Sequence, residues 1–167
     1  DRYGADRPGN NLFSSSTVAL DYKTGKRKWH FQTTHHDIWD WDTPAAPIVV
    51  DLPNGTPAVV QTLKQSHLFM FNPENGEPLF PVVERPVPQS DLPSEMTAST
   101  QPFPVKPAPY DRQGFQADDL VDFTPEIHAK AKEIAAKYRF SELYTPASRY
   151  KDPNDGSLGT LHLPSST

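Results

Sequence analysis

The chain of 167 residues has no cysteine. That absence removes disulfides, thiolate catalysis and cysteine-type zinc sites together, and it leaves the compartment open. A basic cluster is missing too: sixteen Lys and Arg stand against twenty-one Asp and Glu, for a formal net charge of −5. With no row of cations to neutralise phosphates, nucleic acid is not an expected partner. No apolar run approaches the roughly eighteen residues of a membrane span, and the opening residues do not read as a signal peptide. The chain begins Asp-Arg-Tyr without a Met and stops on Pro-Ser-Ser-Thr. It is therefore expected to be a piece of a longer protein, about whose leader or anchor these absences say nothing.

What is plentiful is proline. Nineteen of them are more than twice the usual share of about 5%, which suits short strands on stiff connections better than a helical bundle. The strand signals come in pairs. Residues 15–21 and 26–33 flank the turn Tyr22-Lys23-Thr24-Gly25, where Gly25 supplies the positive φ of a tight hairpin. Residues 46–52 and 56–63 flank Pro53-Asn54-Gly55, and 67–72 runs into Pro73-Glu74-Asn75-Gly76. An internal repeat links these. Asp21 and Asn72, Thr24 and Asn75, Gly25 and Gly76, and Trp29 and Phe80 are each 51 residues apart. A period of about 40–50 residues built from short strands indicates β-propeller blades. Trp29 and Phe80 are then expected to be buried in equivalent places.

The expected organisation follows. Residues 1–80 hold the blade repeats and a candidate site loop, and 81–123 form a proline-rich extended connection. Residues 124–140 form a helix, capped by Thr124 and opened by Pro125 and Glu126. Its apolar face would be Ile127, Ala131, Ile134, Ala135 and Tyr138, and Lys130, Lys132 and Lys137 its solvated side. Residues 141–167 hold a loop, a turn at Asp152–Gly156 and the first strand of a further blade from Gly159. The fold class is all-β, about two blades of a propeller with one inserted helix.

The candidate loop is His35-His36-Asp37-Ile38-Trp39-Asp40-Trp41-Asp42. Two imidazoles, three carboxylates and two indoles in eight residues make a poor strand, and Asp37 and Asp40 would repel at i,i+3 on a helix. Three readings fit. The first is a metal site, although adjacent His35 and His36 share an ion poorly. The second is general-base catalysis by one carboxylate, with the rings excluding water. The third is structural: an Asp-rich turn capping its own backbone while the tryptophans fill gaps. Lys64, interrupting the apolar run from Val59 to Phe71 at a strand end, favours the second, unless it simply snorkels to solvent.

The residues also carry a family resemblance. Ala19-x-Asp21-x-x-Thr24-Gly25-x-x-x-Trp29 resembles the tryptophan-docking motif of the quinoprotein alcohol dehydrogenases, which are eight-bladed propellers. Phe31 through Asp40 resembles the segment that follows it in their membrane-bound glucose, quinate and shikimate dehydrogenase branch. Further likeness lies in Pro44–Pro47, Lys64–Phe69, Ser99–Phe103, Tyr138–Phe140, Tyr144–Pro146 and Gly159–Leu161.

The resemblance implies the cofactors pyrroloquinoline quinone (PQQ) and Ca²⁺. It implies oxidation of a sugar, polyol or cyclic alcohol hydroxyl, with electrons passed to a quinone or cytochrome. It places the catalytic base on Asp40 and the cofactor-binding lysine on Lys64, with His35, His36, Asp37 and Trp39 as possible site neighbours. It also implies a parent protein at the periplasmic face of the bacterial inner membrane, whose remaining blades supply the other cofactor and metal ligands. A fragment of this size is expected to be inactive alone. The competing class is a non-catalytic propeller serving as an interaction scaffold, which shares the docking motif but needs neither the His-His-Asp-x-Trp-Asp loop nor the lysine.

Overall fold

The structure, a computed structural model, describes residues 2–114, 116–140 and 142–162. Seven strands and one α-helix follow one another: β1 Ser16–Leu20, β2 Arg27–Gln32, β3 Ile48–Asp51, β4 Pro57–Thr62, β5 Leu68–Phe71, β6 Val82–Pro86, β7 Thr100–Pro104 and α1 Pro125–Ala135. They make three small antiparallel sheets, β1-β2, β3-β4-β5 and β6-β7. Among the described residues no helix is long and apolar enough to cross a membrane.

The repeat is visible as hydrogen bonding. Asp21 N donates to Lys26 O and Gly25 N to Asp21 O; 51 residues on, Asn72 N donates to Glu77 O and Gly76 N to Asn72 O. Gly25 and Gly76 take φ of 68° and 75°, where a side chain would be strained. The Asp21 and Asn72 side-chain oxygens each accept from the backbone two residues on, an Asx turn. A third turn has the same bonds: Asp152 N to Ser157 O, Gly156 N to Asp152 O, and Asn154 N to Asp152 Oδ1. The sequence marks that turn but not its identity with the other two, because it lies 80 residues beyond Asn72 rather than 51.

Trp29 joins the first two copies. Its indole is buried with Val59, Leu63, Phe69 and Phe71, and Nε1 donates to Pro73 O at 2.9 Å. The ring lies flat on the second turn, so a Cβ on Gly76 would sit 2.5 Å from Trp29 Cδ2. Phe31 adds its ring 4.9 Å from Phe71 and 5.4 Å from Phe69. Phe80, expected to be buried likewise, is only half-buried. Pro78 stands where Arg27 stands in the first copy. Without an N–H it cannot extend a ladder, and the second return strand is reduced to a single bridge, Phe71 to Pro78.

Two further expectations need correction. The proline-rich connection is not all free-running coil, since β6 and β7 pair from Val82–Pro104 to Pro86–Thr100. Both strands of a two-stranded ladder are edges, so a proline can sit with its missing donor on the open side. The helix stops at Ala135 rather than near Phe140. Lys137 N and Tyr138 N reach back only three residues, to Ile134 O and Ala135 O, tightening the last turn. Arg139 is then drawn into a parallel bridge with Thr160 and into contact with Asp91, Asp152 and Asp155. Thr124 caps the helix as expected, its hydroxyl accepting from Ile127 N at 3.3 Å. Of the expected apolar face, Ala135 is buried, while Ile127 and Ile134 remain exposed. The strand expected from Gly159 forms only the Thr160 bridge, and Leu163 and Pro164 lie outside the described residues.

Candidate active site

The loop from Thr33 to Pro47 has no regular element, and its backbone is held by side chains from elsewhere. Gln101 of β7 is fully buried and treats His35 as a strand partner, accepting from its N at 2.8 Å and donating to its O at 2.7 Å. Arg2 donates to Trp39 O and Arg7 to Asp37 O. Asp37 is occupied locally: Oδ1 accepts from Trp39 N at 2.9 Å, and Oδ2 from the Ser15 hydroxyl at 3.3 Å. Ile38, Trp39 and Trp41 turn inward and form a second core with Val87, Leu143 and Tyr144. Within it Trp39 meets Tyr144 edge-on at 5.1 Å. Burying three large apolar side chains fixes where the intervening polar ones must point, at about 1.5–3 kcal/mol each.

Asp40 therefore points away from that core. Its backbone sits at φ 68°, an uncommon conformation for a residue other than glycine, and its carboxylate is half exposed. Lys64 comes from the tight turn between β4 and β5, closed by Ser66 N to Leu63 O and Leu63 N to His67 O. Lys64 Nζ lies 2.9 Å from Asp40 Oδ2 and 3.3 Å from Asp42 Oδ2, and its N–H donates to Asp42 O. The lysine side chain is 18% exposed and that of Asp40 47%, so the pair is accessible without being fully solvated. The hydrogen bond from Lys64 holds the Asp40 carboxyl below the usual carboxylate range. Reciprocally, the bond to Asp40, with a further one to Asp42, raises Lys64. An ionised carboxylate can accept a proton, and the ammonium held beside it can donate a hydrogen bond to the same reacting group.

Of the expected neighbours, the structure brings Asp40 and Lys64 together and uses the others elsewhere. His35 Nδ1 faces Gln32 Oε1 at 2.8 Å, and Nε2 faces Glu84 at 3.2 Å. His36 is buried against Gly9 O and Glu95, and Asp37 and Trp39 serve the loop as described. Gln101 stood only within the Ser99–Phe103 likeness, with no role attached to it, and Glu95 had no sequence signal, since each acts across about 60 residues.

Comparison with known proteins decides the family. The family model "Glucose/ethanol/alcohol dehydrogenase, beta-propeller domain", of the PQQ class, matches residues 1–167. The chain belongs to this PQQ dehydrogenase family. It is 33% identical over 168 residues to the quinate/shikimate dehydrogenase (quinone) of Acinetobacter baylyi, covering 97% of the chain and 21% of that protein. It is 33% identical over 159 residues to quinoprotein glucose dehydrogenase A of Acinetobacter calcoaceticus, covering 89% and 20%. Among solved structures, the quinohemoprotein alcohol dehydrogenase of Comamonas testosteroni is similar with a TM-score of 0.43 and 28% identity, over 63% of this chain and 16% of that one. The chain thus spans about a fifth of the length of the curated relatives it matches. It is a fragment of a propeller, built from small antiparallel sheets with one helix.

A quinone carbonyl needs a hydrogen-bond donor, and Lys64 Nζ, 2.9 Å from Asp40 Oδ2, is a donor of that kind. Calcium needs six to eight oxygen ligands. Among the described residues no group of three or more His, Cys, Asp or Glu is placed to hold a metal, and the chain spans only about a fifth of its relatives' length.

Proposed function

We propose that the protein to which this chain belongs oxidises the hydroxyl of a sugar, polyol or cyclic alcohol with PQQ as hydride acceptor. Electrons pass on to a quinone or cytochrome. The observation that carries this reading is the 2.9 Å contact between Lys64 Nζ and Asp40 Oδ2, set in a chain of the PQQ dehydrogenase family. PQQ, when bound, supplies the two-electron oxidant. Asp40 is the general base, its carboxylate taking the substrate hydroxyl proton. Lys64 would hold the cofactor, its ammonium serving as the hydrogen-bond donor that a quinone oxygen requires. Trp39 and Trp41, packed beneath, keep the loop from swinging its base out of reach. The relatives' printed activities, on quinate or shikimate and on glucose, support a hydroxyl-bearing substrate without choosing one. Placement at the periplasmic face of the inner membrane is part of the same proposal.

The test uses the full-length parent. Asp40→Asn keeps shape and cofactor binding but removes the base, and lowers kcat by about 10²–10⁴. Lys64→Ala weakens PQQ reconstitution as well as turnover. Lys64→Arg does not restore it, because a planar fork does not sit where a point charge did. Reconstitution titrations and dye-linked alcohol oxidation read the two effects. Near-wild-type turnover in Asp40→Asn would move the base to Asp37 or Asp42. A scaffold propeller would show no PQQ binding in any variant.

A further inference from the structure

The turn that presents Lys64 is buried before and after it. Leu63, Gln65, Ser66 and His67 are each 3% exposed or less, while the lysine side chain reaches 18%. Ser66 sits at φ 65°, an uncommon conformation for a residue other than glycine, so the turn depends on what surrounds it. Part of that surrounding is a distant segment. Tyr110 N donates to Ser66 O at 3.1 Å, the Tyr110 hydroxyl donates to Leu63 O, and Gln113 Nε2 donates to Gln65 O at 2.9 Å. The two side chains act from 47 and 48 residues along the chain. Desolvation raises the Tyr110 phenol above its ordinary range, so it stays a donor.

The same segment reaches the other half of the site. Gly114, next to Gln113, bridges Glu142, and the two residues after Glu142 are Leu143 and Tyr144, which pack with Trp39 and Trp41 on either side of Asp40 in the sequence. One short stretch thus grips the turn that carries the lysine and adjoins the core that fixes the loop carrying the carboxylate. Any buried turn needs its carbonyls satisfied, and residues 110–114 could be ordinary covering. The bonds, however, fall on the residue before Lys64 and the two after it, and the N–H of Lys64 itself goes to Asp42 O. The lysine backbone is therefore held by this segment and by the Asp40 loop together. A lysine stem is flexible, so its ammonium keeps its 2.9 Å contact with Asp40 Oδ2 only while the backbone beneath it stays put.

We infer that Tyr110 and Gln113 are positioning residues for Lys64: by gripping its turn they fix where its ammonium sits against Asp40. The consequence for the cofactor rests on the reading of Lys64 as the cofactor lysine. To that reading it adds two residues that act only through Lys64.

The test is a double-mutant cycle in the full-length protein. Tyr110→Phe deletes one hydroxyl from a residue that is 52% exposed, a change the fold tolerates. Losing one hydrogen bond of ordinary strength is expected to weaken PQQ reconstitution by about three- to tenfold. Gln113→Leu, which deletes the bond to Gln65 O, does the same. In a Lys64→Ala background neither substitution has a further effect, because the lysine through which they act is gone. Residues that merely support the fold would lower affinity equally with and without Lys64. A second readout needs no cofactor: the rate at which an acylating reagent modifies Lys64 in the PQQ-free protein, followed by mass spectrometry. An ammonium paired with Asp40 and Asp42 reacts slowly. Tyr110→Phe is expected to speed its acylation by about three- to tenfold and to leave Lys130 on α1 at the wild-type rate. Unchanged acylation of Lys64 in both variants, or equal losses of PQQ affinity in the two backgrounds, overturns the inference. If Lys64→Ala itself leaves reconstitution unchanged, the cofactor assignment falls, and faster acylation in Tyr110→Phe still upholds the positioning.

Discussion

Both ring nitrogens of His36 face oxygen acceptors, Gly9 O at 2.7 Å and Glu95 Oε1 at 2.8 Å. A carbonyl only accepts, so Nδ1 donates to Gly9. One more proton must then lie between Nε2 and the Glu95 carboxyl, whichever partner holds it. The pair is almost wholly out of solvent and ties the opening residues to the segment around Glu95. Gly4 completes the fit, for a Cβ there would sit 2.6 Å from His36 Nε2. An imidazole locked this way holds the loop and is not free to shuttle protons, although its residue type alone suggests chemistry.

His67 is the other residue where charge and burial conflict, and there the consequence can be measured. Its pKa falls from 6.5 to about 4 because burial disfavours the imidazolium. The unfolded chain therefore binds a proton between pH 6.5 and about 4 that the folded chain refuses. The contribution is intact above pH 6.5 and is lost as pH falls through that window, about 3 kcal/mol in all. His67→Gln cannot titrate. Urea midpoints of the ligand-free wild type and variant are expected to draw apart as pH is lowered from 7 to 4, with the wild type losing more. Parallel curves would mean that His67 is protonated in the fold.

At the level of elements, the docking of Trp29 on the second turn is what makes two hairpins into neighbouring blades. Gly76 meets two demands at once, a φ of 75° and room for an indole where its Cβ would be. Gly76→Ala is expected to cost about 1–3 kcal/mol, the range for overpacking, and Gly25→Ala less, because nothing lies within 4 Å of Gly25. Trp29→Ala removes the obstacle, so the cost of Gly76→Ala should shrink in that background. A double-mutant cycle by denaturant unfolding measures the coupling, and strict additivity would show that the ring does not press on the turn.

The same element level shows what the sequence could disclose. Local rules decided the hairpins: Gly25 and Gly76 need positive φ, β5 alternates Phe69 and Phe71 inward, and Thr124 caps α1. The Asp40–Lys64 contact was legible only by resemblance, because two residues 24 positions apart meet through the packing of Trp39 and Trp41. The role of Gln101, the residue Glu95 and the β6-β7 ladder were not legible. Their partners are set by tertiary contacts across a stretch in which proline suppresses every periodic signal, and the helix end was moved by three aspartates competing for Arg139.

At the scale of the whole molecule, the chain covers about a fifth of its relatives' length, and its sheets have only two or three strands. In isolation such sheets leave edges open. β3 is an edge of the three-stranded sheet and carries Ile48 and Val49 largely in solvent, Val49 at 72%. A short apolar edge with unpaired backbone groups is a template for another strand, and nothing in residues 48–50 repels one. Residues 1–167 produced alone are therefore expected to self-associate and to show no dye-linked turnover with added PQQ. Light scattering after gel filtration, over a concentration series, would show mass rising with concentration. Val49→Lys places a charge on the open edge without touching either buried core, and should return the mass toward that of a monomer. In the full-length protein the same substitution tests whether another strand covers β3, since a lysine forced beneath one would lower stability. A wild-type fragment that stays monomeric, with Val49→Lys indistinguishable from it, would show that this edge is protected without further blades.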